Sequence, residues 1–277
     1  MTAPASGLCD LVRRVGGREG PPLVLVHEMG GTLASWDPLV AVVGPARRIV
    51  RHDMRGFGGS PRLRGPTDLD RHVDDLLAVL DAERVEEPVD LCGMAVGAAV
   101  ALRFAARHPD RVRSLALMSP ALGVAADRRE RTLARAARIE AEGIAAIAEE
   151  ELAITYPTAL RANGRFETYR ATWLGNDATS YAATYRTLVD IDAASDVASI
   201  AVPTLVLAGT LDPLRPPAAM AEVAERIAGC RYVEIESGHV MAHQTPEVVA
   251  AVLGAFWSEV ADGAPGAPVS RHSEFAS

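Results

Sequence analysis

Strand-like runs alternate with stretches of helical spacing along most of the chain. Each run predicts a buried strand, and the runs are residues 22–27, 48–53, 89–92, 112–118, 203–208 and 231–235. Between them, apolar residues recur every three or four positions, and this spacing predicts helices at residues 35–43, 67–80, 96–107, 216–228 and 245–260. Apolar strands that alternate with helices indicate an α/β fold, a mainly parallel sheet with helices on both faces.

One region departs from this alternation. Residues 127–196 contain no strand-like run, only Ala-, Arg- and Glu-rich sequence of helical character that carries several aromatic side chains. A helical insertion that follows four strands divides the chain into three parts. We predict an α/β core of residues 1–123 and 199–261, a helical cap of residues 124–198, and a disordered tail of residues 262–277 that is rich in Gly, Ala, Pro and Ser.

The strongest turn signal lies between residues 92 and 98. An apolar strand ends there in Gly93-Met94-Ala95-Val96-Gly97, and a small-residue helix follows as far as Arg107. This is the pattern of a nucleophile elbow, G-x-S-x-G, in which a strained strand-to-helix turn presents one side chain above the sheet. Here the presented residue is Ala95, so the turn is predicted without its nucleophile.

Composition narrows the classes of function. The net charge is −8 and no basic cluster is present, which disfavours a nucleic-acid partner. No apolar run reaches the roughly 18 to 20 residues that cross a bilayer, and the start of the chain lacks a signal-peptide pattern. We therefore expect no membrane partner and a cytoplasmic location.

Cofactor and metal motifs are also absent from the sequence. The three cysteines, Cys9, Cys92 and Cys230, show no C-x-x-C spacing, and neither G-x-G-x-x-G after a strand nor a P-loop occurs. The sequence thus predicts no cofactor and no metal site, and it gives no prediction of oligomeric state. Cys92 is expected to be a buried structural thiol.

Three further loops follow strands in a fixed order. They are His27-Glu28-Met29-Gly30-Gly31, Gly209-Thr210-Leu211-Asp212-Pro213 and Ser237-Gly238-His239. Together with the elbow, they resemble the α/β-hydrolase superfamily, in which nucleophile, acid and histidine follow one another in that chain order. Within it, the D-x-R-G-x-G-x-S string at residues 53–60 and the stretch at residues 107–121 look most like small ester and lactone hydrolases typified by 3-oxoadipate enol-lactonase.

The resemblance implies a role for each matching position. Asp212 matches the acid that orients a histidine, and His239 matches the general base. The backbone N–H groups of Met29 and Val96 match the two oxyanion donors, and Gly30 belongs to the same substrate-binding loop. A small-molecule carbonyl compound, an ester or a lactone, is the substrate that the resemblance implies.

Three residues depart from that pattern, and one of them, Gln244, two positions before Pro246 where glutamate is more usual, is expected to matter little. Ala95 has no atom that can attack a carbonyl, so no acyl-enzyme can form there. Glu28 stands where such loops usually have glycine, and a carboxylate pointing into the oxyanion site would repel the developing charge. We favour a solvent-facing or loop-bracing Glu28 over a second catalytic base, and we expect His27 and Asp53 to brace loop backbones.

Three hypotheses stay open, in this order of preference. The first is an enzyme in which His239 and Asp212 activate water or abstract a substrate proton, so that hydrolase, lyase and cyclase chemistry are all compatible with it. The second is a non-catalytic ligand-binding protein that retains the pocket. The third is an engineered inactive variant in which Ala95 replaces a parental serine.

Overall fold

A computed structural model describes residues 9–162 and 164–263. Its sheet has seven strands in the order β1-β3-β2-β4-β5-β6-β7. The strands are β1 (Arg13–Gly16), β2 (Glu19–Val26), β3 (Arg47–His52), β4 (Val89–Met94), β5 (Val112–Met118), β6 (Thr204–Gly209) and β7 (Arg231–Ile235). From residue 264 onward, the tail predicted to be disordered lies outside the described residues.

The sheet is mainly parallel, as predicted. Only β1 runs antiparallel, along β3, and the other neighbouring strands all pair in parallel. The ends of each predicted run lie within about three residues of the ends of an observed strand. The strand β1 was not predicted, because three of its four residues are exposed at the edge of the sheet and give no apolar signal.

Eleven α-helices are present in the described residues. They are α1 (Asp37–Val43), α2 (Leu69–Ala82), α3 (Val96–Arg107), α4 (Arg129–Glu142), α5 (Ala148–Thr155), α6 (Arg165–Leu174), α7 (Ala178–Thr187), α8 (Ala194–Ser199), α9 (Pro217–Glu225), α10 (Met241–Gln244) and α11 (Pro246–Ala261). In the sheet layers, α1 packs against α11, whereas α3 packs against α2 and α8. The two groups cover the two faces of the sheet, and the predicted α/β class is confirmed.

The helical segment, residues 124–198, lies between β5 and the strand β6 next to it in the sheet. Its described residues form helices α4 to α7 and most of α8, joined by short 3-10 turns, and contain no strand. Buried aromatic side chains hold the segment together, among them Tyr156, Tyr169, Trp173 and Tyr181. Within the described residues, no helix combines the length and the apolar character needed to cross a membrane.

Candidate active site

The elbow lies between the central strand β4 and helix α3. Ala95 adopts φ +52°, in the left-handed region that non-glycine residues rarely occupy. Its N–H donates to the carbonyl of Met118 at 2.9 Å, and its own carbonyl accepts from the N–H of Ala121 at 3.0 Å. The strained turn is therefore anchored to the end of β5 although no nucleophile is present.

The two flanking glycines are required by close backbone contacts. A Cβ atom on Gly93 would lie 2.3 Å from the carbonyl oxygen of Gly97, and one on Gly97 would lie 2.2 Å from that of Val26. Real Cβ atoms do not approach other atoms so closely, so neither position accepts a side chain without a backbone shift. The sequence pattern G-x-A-x-G thus corresponds to a true elbow, with Ala95 at its tip.

Asp212 and His239 come together from the loops after β6 and β7. Nδ1 of His239 lies 2.8 Å from Oδ2 of Asp212. The other oxygen, Oδ1, accepts the N–H groups of Leu214 and Arg215 at 2.9 and 3.1 Å. With Asp212 ionised, Nδ1 of His239 donates its hydrogen to the carboxylate, and Nε2 is left as the basic nitrogen.

The environment of Asp212 favours its charged form. Burial acts to raise the pKa of this carboxyl, but the charge of the adjacent His239, the hydrogen bonds from His239 and the Arg215 N–H, and the nearby Ser119 hydroxyl bring it below the usual value. Ser119 itself is fully buried at φ +44°, directly after β5. Asp212 is therefore an ionised partner for His239 across the neutral pH range.

A cavity of about 510 Å³ lies above the elbow, under the helical segment. Five of the residues predicted to form the site line it, namely Glu28, Met29, Ala95, Val96 and His239. Gly30 is not among the lining residues. Its carbonyl instead accepts from Nδ2 of Asn176 at 2.7 Å, and a Cβ atom there would lie 2.5 Å from the indole of Trp173.

The backbone N–H groups of Met29 and Val96 are both without an acceptor in the part of the chain that the structure describes. Val96 is the first residue of α3, where the N–H groups have no partner within the helix. Both residues line the cavity together with Ala95. The arrangement leaves two amides for an oxygen atom of a bound molecule.

Glu28 is buried, which excludes the solvent-facing side chain but not the loop-bracing one, the two alternatives expected for it. It is 1% exposed, and its Oε1 accepts from the hydroxyl of Ser35 at 2.9 Å, which braces the loop. Its Oε2 has no hydrogen-bond partner among the described residues. Burial raises the pKa of Glu28 to about 7, although the Ser35 hydrogen bond, the charge of His239 and the Tyr169 hydroxyl oppose that rise.

Neighbouring polar residues hold the loops around the cavity. Nε2 of His27 accepts the N–H of Met54 at 2.9 Å, so Nδ1 carries the hydrogen and donates it to the Glu28 carbonyl at 2.7 Å. Asp53 accepts the N–H groups of Leu33 and Gly59 at 2.7 and 2.9 Å. These contacts agree with the loop-bracing roles expected for His27 and Asp53.

Several cavity residues were not found from the sequence. Tyr169 and Trp173 come from α6, and Arg215 follows Asp212 by three positions. Arg128 and Arg131 also line the cavity, close to the start of α4. Helical spacing identifies the aromatic residues as buried but does not indicate which of them face a cavity, and no motif marks the arginines.

Cys92 is buried in β4, and burial raises the pKa of its thiol above the usual range, as expected of a structural cysteine. In residues 9–162 and 164–263, no group of three or more His, Cys, Asp or Glu side chains is arranged to hold a metal ion. The candidate catalytic groups at the cavity are therefore His239 with Asp212, the two backbone amides, and Glu28.

Comparisons with known proteins agree on the fold. The profile of the family described as "Serine aminopeptidase, S33" matches residues 12–246. A crystal structure of an enol-lactonase from Burkholderia xenovorans LB400 superposes with a TM-score of 0.84 at 28% sequence identity, covering 90% of this chain and 96% of the other.

Two curated relatives match over most of their length. A protein of Azorhizobium caulinodans provisionally named as the carbamate hydrolase RutD is 28% identical, covering 92% of this chain and 97% of its own. The 3-oxoadipate enol-lactonase 1 of Acinetobacter baylyi is 26% identical, covering 87% of this chain and 90% of its own. Both names describe hydrolases.

Proposed function

The chain belongs to the family described as "Serine aminopeptidase, S33", within the α/β-hydrolase superfamily, and we propose that it hydrolyses a small ester or lactone without a covalent serine intermediate. The family and its relatives identify a hydrolase. Ala95 excludes an acyl-enzyme at the elbow, so the proposal assigns the nucleophile to water.

The hydrogen bond of 2.8 Å between His239 and Asp212 is the observation that carries the proposal. It orients the imidazole and leaves Nε2 as the base at the cavity. Nε2 takes a proton from water while the water oxygen bonds to the substrate carbonyl carbon. The C–O bond to the leaving group then breaks, and the departing oxygen takes the proton back from His239.

The amides of Met29 and Val96 are proposed to hold the carbonyl oxygen as it becomes negative. Each such donor contributes on the order of 3 to 4 kcal/mol when it is aimed at the developing charge. Binding and oxyanion stabilisation without a serine still accelerate hydrolysis by roughly 10³ to 10⁴ over water. That acceleration suits a reactive ester or enol lactone and is too small for an amide.

The helical segment is proposed to be the cap of the active site. Its residues Tyr169, Trp173 and Tyr181 line the cavity. Specificity at such sites comes from the pocket walls, because the reacting groups are shared by many substrates. The choice among esters and lactones is therefore assigned to this segment.

A comparison of variants tests the proposal. The chain as it stands, His239→Ala and Ala95→Ser are assayed with p-nitrophenyl acetate and a series of small lactones, with His108→Ala as a histidine control outside the cavity lining. We expect the unaltered chain and His108→Ala to be active, His239→Ala to lose activity, and mass spectrometry to detect no acyl-enzyme in the unaltered chain. Turnover by Ala95→Ser alone would contradict the proposal and favour a ligand-binding protein or a proton-transfer enzyme.

A further inference from the structure

The unpartnered oxygen of Glu28 is the one polar atom of the predicted site that neither the fold nor the proposed hydrolysis accounts for. We propose that Glu28, in its protonated form, is a third oxyanion donor, whose Oε2 hydroxyl donates a hydrogen bond to the substrate carbonyl oxygen. The inference rests on the proposed function for the identity of the substrate, but not for the protonation of Glu28 or its contact with a carbonyl group.

The hydrogen bonding of the carboxyl distinguishes its two oxygens. Oε1 is held by the Ser35 hydroxyl at 2.9 Å, and Ser35 is itself fixed because its oxygen accepts the N–H of Thr32 at 3.1 Å. Oε2 is buried and has no partner among the described residues, in a side chain that lines the same cavity as Ala95 and His239. A buried polar atom without a hydrogen-bond partner destabilises the fold, and a ligand oxygen would supply the missing partner.

Position 28 directly precedes Met29, one of the two candidate oxyanion amides. A glycine at this position, as related loops usually have, contributes no side-chain donor to the site. Glu28 therefore adds a hydroxyl on the wall that already carries the Met29 N–H. Ala95 exposes only a methyl group towards the same space.

The charge state decides whether this hydroxyl helps or hinders. An ionised carboxylate beside the carbonyl oxygen would repel the developing negative charge, whereas a neutral carboxylic acid donates to it. The groups that face Glu28 are the Ser35 hydroxyl, the Tyr169 phenol of α6 and the His239 imidazole after β7. Burial outweighs these three groups and the backbone N–H of Glu28 itself and raises the pKa of Glu28 to about 7, so the acid is mostly protonated below that pH.

The proposed step requires no net proton transfer from Glu28. The Oε2–H hydrogen bond strengthens as the carbonyl oxygen gains charge and weakens again when the leaving group departs. His239 carries the only proton that moves from water to the leaving group. A glutamine at position 28 would offer an N–H of similar reach, without the capacity to ionise.

The first test measures protonation directly and is independent of activity. Infrared difference spectra between pH 5.5 and pH 8.5 are recorded for the unaltered chain and for Glu28→Gln. We expect a carboxylic-acid carbonyl band that disappears with a midpoint near pH 7 in the unaltered chain, and the loss of this band in Glu28→Gln. The same band in both proteins, or in neither, would overturn the proposal.

The second test places a carbonyl group in the cavity without any reaction. Carbon-13-labelled 2-piperidone, a lactam that stays intact, is added at pH 5.5, and its carbonyl stretch is compared among the unaltered chain, Glu28→Gln and Glu28→Ala. A larger downward shift with the unaltered chain and Glu28→Gln than with Glu28→Ala supports the donor role. Equal shifts would exclude it, whether or not the protein hydrolyses esters.

The third test uses the pH profile of ester or lactone hydrolysis. Above pH 7, kcat/KM of the unaltered chain should fall towards tenfold per pH unit, whereas Glu28→Gln should show no such fall and stay within about tenfold of the unaltered chain at pH 6. Glu28→Ala should lose about 10²- to 10³-fold at pH 6. An identical fall in Glu28→Gln, or its inactivity at every pH, would overturn the donor role.

Ser35→Ala provides a variant that leaves Glu28 in place. The Ser35 hydrogen bond lowers the pKa of Glu28, so its removal should move the fall in kcat/KM and the infrared midpoint to higher pH together. A purely structural role for Ser35 would reduce activity without moving either midpoint. If no variant hydrolyses an ester or lactone but the infrared and lactam results are as expected, the proposed function is wrong and the inference about Glu28 still holds.

Discussion

Asp212 and Glu28 are both buried carboxyl groups at the ends of parallel strands, but their surroundings act on their protonation in opposite directions. Asp212 accepts two backbone N–H groups and the Nδ1 hydrogen of His239, and its pKa lies below the usual value despite burial. Glu28 accepts the Ser35 hydroxyl at 2.9 Å, and its own N–H, the charge of His239 and the Tyr169 hydroxyl also favour its charged form, but burial raises its pKa to about 7. The balance between burial and the groups that favour the charged form, and not burial alone, separates an ionised carboxylate from a neutral acid.

The comparison also separates the two proposed roles. A carboxylate that stays charged orients and stabilises a histidine that gains a proton during the reaction. A carboxylic acid that stays neutral can donate a hydrogen bond to an oxygen that gains negative charge. One site would then contain an ionised carboxylate, Asp212, and a neutral carboxylic acid, Glu28, at the same pH, each stabilised in its form by its own surroundings.

Asp212→Asn is the change with the largest expected effect on the pair. The amide Oδ1 can still accept the N–H groups of Leu214 and Arg215, but Nδ2 would donate to His239 and place the imidazole hydrogen on Nε2. We expect kcat/KM to fall by roughly 10³- to 10⁴-fold, measured on the most reactive ester of the panel. Asp68→Asn, at the N-cap of α2, is the matched control, and an equal loss there would show that the effect is not specific to the site.

Glu28→Gln tests the other side of the comparison through stability. The pKa of Glu28 is about 7 in the folded protein and 4.5 in the unfolded chain. The folded protein keeps the full contribution of the neutral acid to its stability below pH 4.5 and loses that contribution as pH rises from 4.5 to about 7. The unaltered chain should therefore lose on the order of 3 kcal/mol of unfolding free energy through that window, relative to Glu28→Gln. Urea unfolding at several pH values measures this difference.

The control for that measurement is Glu247→Gln. Glu247 is exposed on α11, and Arg165 helps to hold its pKa below the usual value. Its removal should leave the decline between pH 4.5 and 7 in place. If the unfolding free energy still declines in Glu28→Gln but no longer declines in Glu247→Gln, the group responsible is Glu247 and not Glu28.

Ala95→Ser tests whether the two departures from the hydrolase pattern are coupled. Restoring the serine gives a nucleophile, but Glu28 still stands beside the oxyanion site and ionises as pH rises. At pH 8.5, labelling by a fluorophosphonate probe should be at least about tenfold faster in Ala95→Ser/Glu28→Gly than in Ala95→Ser alone, because the anionic side chain no longer opposes the oxyanion. Equal labelling rates would mean that Glu28 does not influence that oxygen.

Tyr169→Phe has the smallest expected effect. Loss of the phenol removes one of the interactions that lower the pKa of Glu28, so the titration midpoint of the Glu28 carboxyl group should rise by less than about one pH unit. The infrared band of the carboxylic acid measures that midpoint directly. A fall in the midpoint would show that the phenol favours the neutral acid instead.

The parallel sheet and the elbow could be predicted because their signals are local. A strand that is buried on both faces has a continuous apolar run in its sequence. Gly93 and Gly97 mark the close backbone contacts of the elbow turn. The order of the loops then indicated which residues meet at one edge of the sheet. The 2.8 Å contact between His239 and Asp212 agrees with that reasoning.

The environment of Glu28 could not be predicted in the same way. It depends on Ser35, seven residues along the chain, and on Tyr169 from α6 and His239 after β7, which are both far from Glu28 in the sequence. A charged residue in a loop is usually exposed, and this general tendency led to the solvent-facing alternative, which the burial of Glu28 excludes. The arginines of the cavity escaped notice because no spacing distinguishes them from those on the surface.

The strained turn at Ala95 also fixes the direction of α3. Because Ala95 is the residue before the helix, the 12-residue α3 begins at the cavity with Val96. The aligned peptide dipoles of such a helix amount to roughly half a positive elementary charge at its first turn. The elbow therefore supplies an electrostatic field to the cavity that is independent of the side chain at position 95, and loss of the hydroxyl leaves that field unchanged.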